Sequence, residues 1–389
     1  MAQSYLNITL MQPLTIRRVE TKKDLDRFIR FNYQLYKDSP YAVPDLYSDV
    51  RDTLTDKNPA AEFCDSICFL ALRGKEVVGR IAGIINRRAN ERWGLKAVRF
   101  GWIDFVDDPA VSQALLEAVE GWGRAHGMDT IQGPLGFTDM DAEGMLVEGF
   151  EELSTMATIY NYPYYRTHLE QLGYEKATGW IEMLMRIPTP EEGVPERLTR
   201  VAQIVMEKHK LHIVKYSSVR QMAKDYGQEV FSVINEGFKP LFGYSEMTPR
   251  QIDQYVKTYL PLLDPKLISL VADEQGHLVG VGISMPSMSR ALQKAQGFLF
   301  PIGWWHLLKA LKWKHADTLD LLLVAVLPEW QNKGVNAVFF HDLLPLYISG
   351  GYRWVETNIE LEDNQKVQQQ WIYFERRQHK RRWCFRKKL

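Results

Sequence analysis

At 389 residues and 45.2 kDa, with 46% hydrophobic and 25% charged residues, the chain has the size of two ordinary domains and the apolar content to fill both cores, which excludes wholesale disorder. Its 48 Lys and Arg balance 48 Asp and Glu, so it lacks the basic excess of a polyanion binder and nucleic acid is not an expected partner. Three cysteines, Cys64, Cys68 and Cys384, exclude a disulfide framework, and no second Cys or His pair completes a zinc set, so the expectation is no metal and a reduced, cytoplasmic setting.

The opening MAQSYLNITLMQPL lacks the basic and apolar regions of a signal peptide. No apolar stretch approaches a membrane span, which leaves at most a peripheral contact on the inner membrane face. In chain order, 14–19 reads as a strand and 22–35 as a helix. Two apolar runs around Arg73-Gly74-Lys75-Glu76 predict a hairpin over 68–85. A strand at 100–106, a helix at 109–126, a strand at 130–135, a helix at 163–172 and a strand at 180–187 follow. The proline- and acid-rich IPTPEEGVPE at 187–196 reads as a linker. The second half repeats the order: helix 196–210, strand 211–216, helices 219–238 and 248–259, hairpin 268–285, strand 319–327, helix 336–348, strand 354–361 and helix 364–376. Gly79 registers with Gly280, and the strand at Ile103 with the strand at Val324, so the second half carries an insert around 285–317. The expected architecture is α/β: two tandem domains, 1–188 and 196–389, joined by 189–195, each a central mixed sheet flanked by helices.

One turn carries a chemical mechanism. The strand ending in Val326 and Leu327 runs into Gln331-Asn332-Lys333-Gly334-Val335-Asn336-Ala337, and a helix follows. Amide groups at a helix start, with the positive dipole end, make an anion site. Gly334 admits close backbone approach and Lys333 adds a charge. The corresponding turn of the first half holds Asp107 and Asp108, which oppose an anion there, and Asp108-Pro109 reads as a helix cap.

Q-N-K-G-V-N-A after a strand resembles motif A, Q/R-x-x-G-x-G/A, of the GNAT (Gcn5-related N-acetyltransferase) superfamily, with Asn336 in the final small position. The resemblance implies that this loop cradles the pyrophosphate of acetyl- or acyl-coenzyme A and that Val326 and Leu327 pair with the pantetheine arm. The following V-E-T-N-I-E-L-E-D-N, up to Asn364, resembles motif B. The runs GPLGFTDMDAEGMLVEGFEE (133–152), TIYNYPYY (158–165) and FLFPIGWWHLLKALK (298–312) are similar to the YghO-like, bacterial ceramide synthase-like group of GNAT proteins. That group implies tandem GNAT halves, and some members are implied to acylate a long-chain sphingoid base.

Acyl transfer to an amine needs a base, oxyanion donors and a route for the leaving thiolate. Alternation along 354–361 puts Glu356 and Glu360 on the face opposite Val355 and Thr357, as candidate bases. The superfamily's acid is often a Tyr, and the matching position is Trp371, with Tyr373 nearby as a weak substitute. In the first half, Asp139, Asp141 and Glu148 on a glycine-broken loop, with Tyr160, Asn161, Tyr162 and Tyr165, suit recognition of an amine and hydroxyls, Asp141 also as a catalytic carboxylate. A tyrosine-rich packing layer is the competing reading. In the insert, a helix from Pro301 carries Trp304 and Trp305, with Lys309, Lys312 and Lys314 toward its other side, the pattern of an interfacial helix. The basic tail from Arg376 suits anionic lipid or a coenzyme phosphate, or a final edge strand. The reading is acyl-coenzyme A-dependent N-acyl transfer to a small or lipid-like amine. The alternatives are acetylation of a small polar amine and a non-catalytic acyl-coenzyme A sensor.

Overall fold

The computed structural model describes residues 12–313 and 316–389, so the chain's first residues and Lys314 lie outside it. Its strands, in chain order, are β1 (Leu14–Arg18), β2 (Cys64–Arg73), β3 (Glu76–Asn86), β4 (Ala97–Phe105), β5 (Thr130–Gly133), β6 (Met145–Glu148), β7 (Glu175–Arg186), β8 (His212–Val214), β9 (Ile268–Ala272), β10 (Leu278–Pro286), β11 (Thr318–Val326), β12 (Trp354–Thr357), β13 (Glu360–Leu361) and β14 (Arg376–Lys388).

Two compact units emerge. One takes the chain up to Trp180 with Ala291–His306 and Lys380–Leu389; the other takes Ile181–Arg290 and Leu307–His379. The linker suggests contiguous domains at 1–188 and 196–389, whereas each unit here is assembled from separate stretches of chain. The first unit's sheet runs β1-β2-β3-β4-β5-β14, with β6 also on β14. The second unit's sheet runs β7-β12-β11-β10-β9-β8, with β13 on β7. In each sheet one internal pair is parallel, β4 with β5 and β11 with β12, and the pairs on the hairpin side are antiparallel. The basic tail is therefore built into a sheet: Lys380 and Arg382 are buried, which removes both as ligands for lipid or phosphate.

The internal repeat has a packing basis. Gly79 pairs with Phe105 across β3 and β4, and Gly280 pairs with Val326 across β10 and β11. A Cβ at Gly79 would stand 2.7 Å from Leu115 and 2.9 Å from Val111, on the Pro109–Ala125 helix. A Cβ at Gly280 would stand 2.8 Å from Phe339 and 3.2 Å from Val335, on the Val335–Ser349 helix. In both halves the glycine lets a helix close onto the hairpin. Between those landmarks the chain runs through 106–110 in the first half and 327–334 in the second, so the second turn is the longer. The insert spans the connection from β10 to β11, as the registration expects.

Three predicted elements differ in detail. The strand over 354–361 is interrupted after Thr357, because the Asn358 side chain accepts from the Ile359 amide at 2.8 Å and donates to the Leu322 carbonyl at 3.3 Å. The helix over 364–376 shrinks to Gln365–Gln369 and a 3₁₀ turn at Gln370–Tyr373 before β14 begins. The insert helix begins at Gly303 and not at Pro301.

Candidate active site

In the second unit the parallel ladder runs from Thr318↔Trp354 to Leu321↔Thr357 and stops. β11 continues to Val326, paired on its other side with β10. The strands therefore part beyond Leu321, and a small apolar cleft with a cavity of about 20 Å³, the room of roughly one water, lies beside the parting. Leu321 and Val324 of β11, Phe339, Phe340 and Leu343 of the Val335–Ser349 helix, and Trp371 line it. β11 has bulky apolar residues on both sides of this edge, and the Asn358 interruption ends β12 where the cleft begins.

The Gln331–Ala337 turn sits at the end of the same strand. Gly334 is the N-cap of the Val335–Ser349 helix with φ 83°, and no side chain caps that helix start. Its first-turn amides and dipole are thus presented to an anion without a competing carboxylate. Gln331 and Asn332 are exposed, Asn336 is half-buried, and Lys333 lies over the Trp330 ring at 4.4 Å. Gln331 Nε2 donates to the Val326 carbonyl at 3.2 Å and the Leu327 amide donates to Val279 O at 3.0 Å, which fixes the turn on the sheet. Gly334 itself answers a packing need: a Cβ there would meet Val205 Cγ2 at 2.8 Å. Val335 is buried in the same cluster as Val205, and Ala337 closes the first helical turn on Gly334 O.

Glu360 adjoins the cleft through Trp371. The indole Nε1 donates to both carboxylate oxygens, at 2.9 and 3.0 Å, and burial pushes the Glu360 carboxyl up to about 7 against the lowering effect of that bond. Glu356 is buried, with His379 Nε2 3.3 Å from its carboxylate. Glu182, also buried, joins them, and the three ligand-capable atoms lie within 4.8 Å of one another. Sequence reasoning missed Glu182 and His379; the available signal was a carboxylate inside the apolar run Trp180-Ile181-Glu182-Met183-Leu184. Tyr373 is exposed with the Arg197 guanidinium 5.1 Å from its ring centre, and Asn364 caps the Gln365–Gln369 helix.

The first unit closes the equivalent edge. Tyr165 OH accepts from the Phe105 amide at 3.1 Å and Tyr164 OH donates to the Phe105 carbonyl at 2.6 Å, so Phe105's backbone groups are taken. Tyr165 stacks on the Phe105 ring at 4.1 Å and shares hydrogen bonds with Tyr36 and Asp104. Asp108 caps the Pro109–Ala125 helix and pairs with Arg73 at 2.5 Å, and Asp107 meets His168 at 3.0 Å. Ser112, His168 and Asp107 form a hydrogen-bonded line, but Ser112 is fully buried and donates to Pro109 O, so it ties the helix down and offers no nucleophile. The acidic loop folds inward: Thr138 N donates to Asp141, burial raises the carboxyls of Asp141 and, further, Glu143, and Asp139 has one oxygen buried. Asn161 bridges the Leu146 backbone from both its amide atoms, Tyr160 donates to Phe150 O, Tyr162 donates to Leu35 O, and exposed Glu148 faces Arg381. These contacts are those of a packing layer. Trp304 and Trp305 are both exposed.

No family model matches the sequence. The chain is 28% identical over 323 residues to Protein YghO of Escherichia coli (strain K12), covering 83% of this chain and 81% of that protein. It is 29% identical over 325 residues to a bacterial ceramide synthase of Caulobacter vibrioides, covering 82% of each. Its structure matches a tandem GNAT protein from the clavulanic acid biosynthesis pathway with a TM-score of 0.54 at 12% identity, over 97% of this chain and 98% of that one. It matches a GCN5-related N-acetyltransferase from Sphaerobacter thermophilus with a TM-score of 0.51 at 14% identity, over 97% of both chains. The parted parallel strands, the helix start beyond them and these likenesses agree: the chain has the tandem GNAT fold and is similar over most of its length to YghO and the bacterial ceramide synthase.

Proposed function

We propose that the chain is an acyl-coenzyme A-dependent N-acyltransferase with one donor site, in its second unit. The observation that supports this most is the parting of β11 from β12 after Leu321, with an uncapped helix start at the end of the same strand. The donor set fits a pyrophosphate: first-turn amides from Val335 onward, the Asn336 amide side chain, and Lys333. The space beside Gly334 is filled by Val205, so the backbone on the other side of the turn is the surface that takes the anion. Bound coenzyme supplies the acyl group as a thioester. Glu360, with its carboxyl near neutrality, takes a proton from the ammonium of the acceptor and so frees the attacking lone pair. The likeness to a bacterial ceramide synthase favours a long-chain amine as the acceptor class over a small polar amine.

The test is thermal stabilisation by acetyl-, palmitoyl- and free coenzyme A. A ligand at 100 times its Kd adds about 2.7 kcal/mol. Stabilisation by the coenzymes, greatest for the long-chain thioester, and turnover with a long-chain amine are expected. A flat response to all three overturns the assignment.

A further inference from the structure

The insert between β10 and β11 presents the most exposed large apolar side chain among the described residues. Phe300 is 79% exposed and Ile302 61%, and Trp304 and Trp305 follow at 45% and 43%. The segment that carries them is held in place on both sides. Phe298 stacks on Tyr47 at 5.5 Å and meets Tyr33 edge-on at 5.7 Å, with the Arg30 guanidinium 5.0 Å from its ring centre. Gly297 O accepts from Tyr47 N at 2.8 Å, and Gln293 Nε2 donates to the carbonyls of Pro40 and Ala42. Trp304 closes the loop on itself, its amide on Leu299 O at 2.7 Å and its indole on Pro301 O at 3.0 Å. A loop anchored through Phe298 in an aromatic clamp and left bare at Phe300 has the form of a fixed wedge.

Along the insert itself the charged residues have one sign, while Asp26 and Asp45 lie beside its clamp. No Asp or Glu occurs between Glu274 and Asp317, while Arg290, Lys294, Lys309 and Lys312 do. The sequence pattern suggests tryptophans and lysines on opposite sides of the helix, and the structure corrects this. At 100° per residue, Trp304, Trp305, Lys312 and Lys309 lie within about 140° of arc. All four are exposed. Tryptophan mixed with lysine on one face matches the headgroup zone of a bilayer, where indoles settle at the interface and lysines meet lipid phosphates. A self-association patch would instead exclude lysine from its middle.

We infer that the Phe298–Gly303 loop and the Trp–Lys face of the helix after it seat the protein on an anionic phospholipid surface, with Phe300 and Ile302 entering the acyl boundary. The inference is independent of the reaction, because its readout is partition and not turnover. The full chain is sedimented with phosphatidylcholine vesicles with and without phosphatidylglycerol, at low and high salt. Wild type is expected to pellet with the anionic vesicles and to be released by salt. Phe300→Glu with Ile302→Glu is expected to lower partition at least about tenfold, because two apolar tips no longer leave water. Lys309→Gln with Lys312→Gln is expected to abolish the preference for phosphatidylglycerol while the melting temperature stays put, and it carries the test if the first pair fails to fold. Absence of wild-type binding, binding indifferent to both pairs, or a wild-type dimer that Phe300→Glu with Ile302→Glu converts to monomer without any vesicle binding overturns the inference.

Discussion

Replacing Glu360 with Gln separates stability from activity in opposite directions. Burial lifts this carboxyl from 4.5 to about 7 in the folded chain. Between those values the folded state holds a proton that the unfolded state has lost, so stability falls as pH rises through the window. At pH 8 the charged carboxylate costs roughly 3 kcal/mol, taking 1.36 kcal/mol per tenfold change in proton affinity. A glutamine keeps an oxygen for the Trp371 indole and never ionises. The variant is therefore expected to be more stable than wild type at pH 8 by up to about 3 kcal/mol and equal to it near pH 4.5. Its turnover should drop by about 10²–10⁴, the usual worth of a general base. In wild type, kcat/KM should rise with pH through a midpoint near 7, as the base form appears, and the variant should lose that limb. The assays are urea melts across pH 5–8 and pH–rate profiles on both proteins. Equal stabilities across that range, or a rising limb that survives in Glu360→Gln, would refute the assignment of Glu360 as the base.

Asn336→Asp puts an acid in the first turn of the Val335–Ser349 helix, so it should raise stability by about 0.3–1 kcal/mol while weakening coenzyme A, a pair of opposite signs that melts with and without ligand would read. Gly334→Ala should cost about 1–3 kcal/mol without ligand, since it combines a positive φ with a Cβ 2.8 Å from Val205; Gly334→Asp is for the same reason no clean probe of the phosphates, and unchanged apo stability would contradict the packing. Tyr165→Phe removes the partner of the Phe105 amide and of Tyr36 OH and should cost about 1–3 kcal/mol in chemical denaturation. Calorimetric titration of the same variant should still give one coenzyme per chain, and two would show that the first unit is a donor site after all.

Much of this fold was legible because local chemistry and tertiary context agree. The two hairpins, the Asp108-Pro109 helix start and the glycine at the second helix start each follow from short-range rules, and each stands where the sequence puts it. The exchange of segments between the units was not legible. Sequence order and a proline-rich linker say nothing about which sheet takes β14, because strand pairing is a long-range choice that alternation alone does not encode. Glu356 illustrates the other limit. Its face follows from alternation, but its burial with Glu182 and His379 depends on strands far apart in sequence. The tyrosines at 160–165 were ambiguous for a related reason. Tyrosine serves recognition and packing alike, and only the bonds of Tyr164 and Tyr165 to Phe105 identify their role.

The repeat gives the two units one scaffold with two different edges. Both halves keep the glycine that lets a helix close on its hairpin, so the scaffold is shared. They diverge where β4 and β11 leave their parallel partners. After Phe105 a short turn through two aspartates caps its helix with Asp108, and Tyr164 and Tyr165 take the backbone groups that the parted edge would otherwise present. After Val326 the turn is longer, and its helix starts at a glycine without a side-chain cap. Each closure satisfies polar groups that burial would penalise, so the first edge gains stability by filling itself. The second keeps that capacity in reserve, and a bound thioester with its phosphates is the kind of ligand whose chemistry the edge and the helix start together can satisfy.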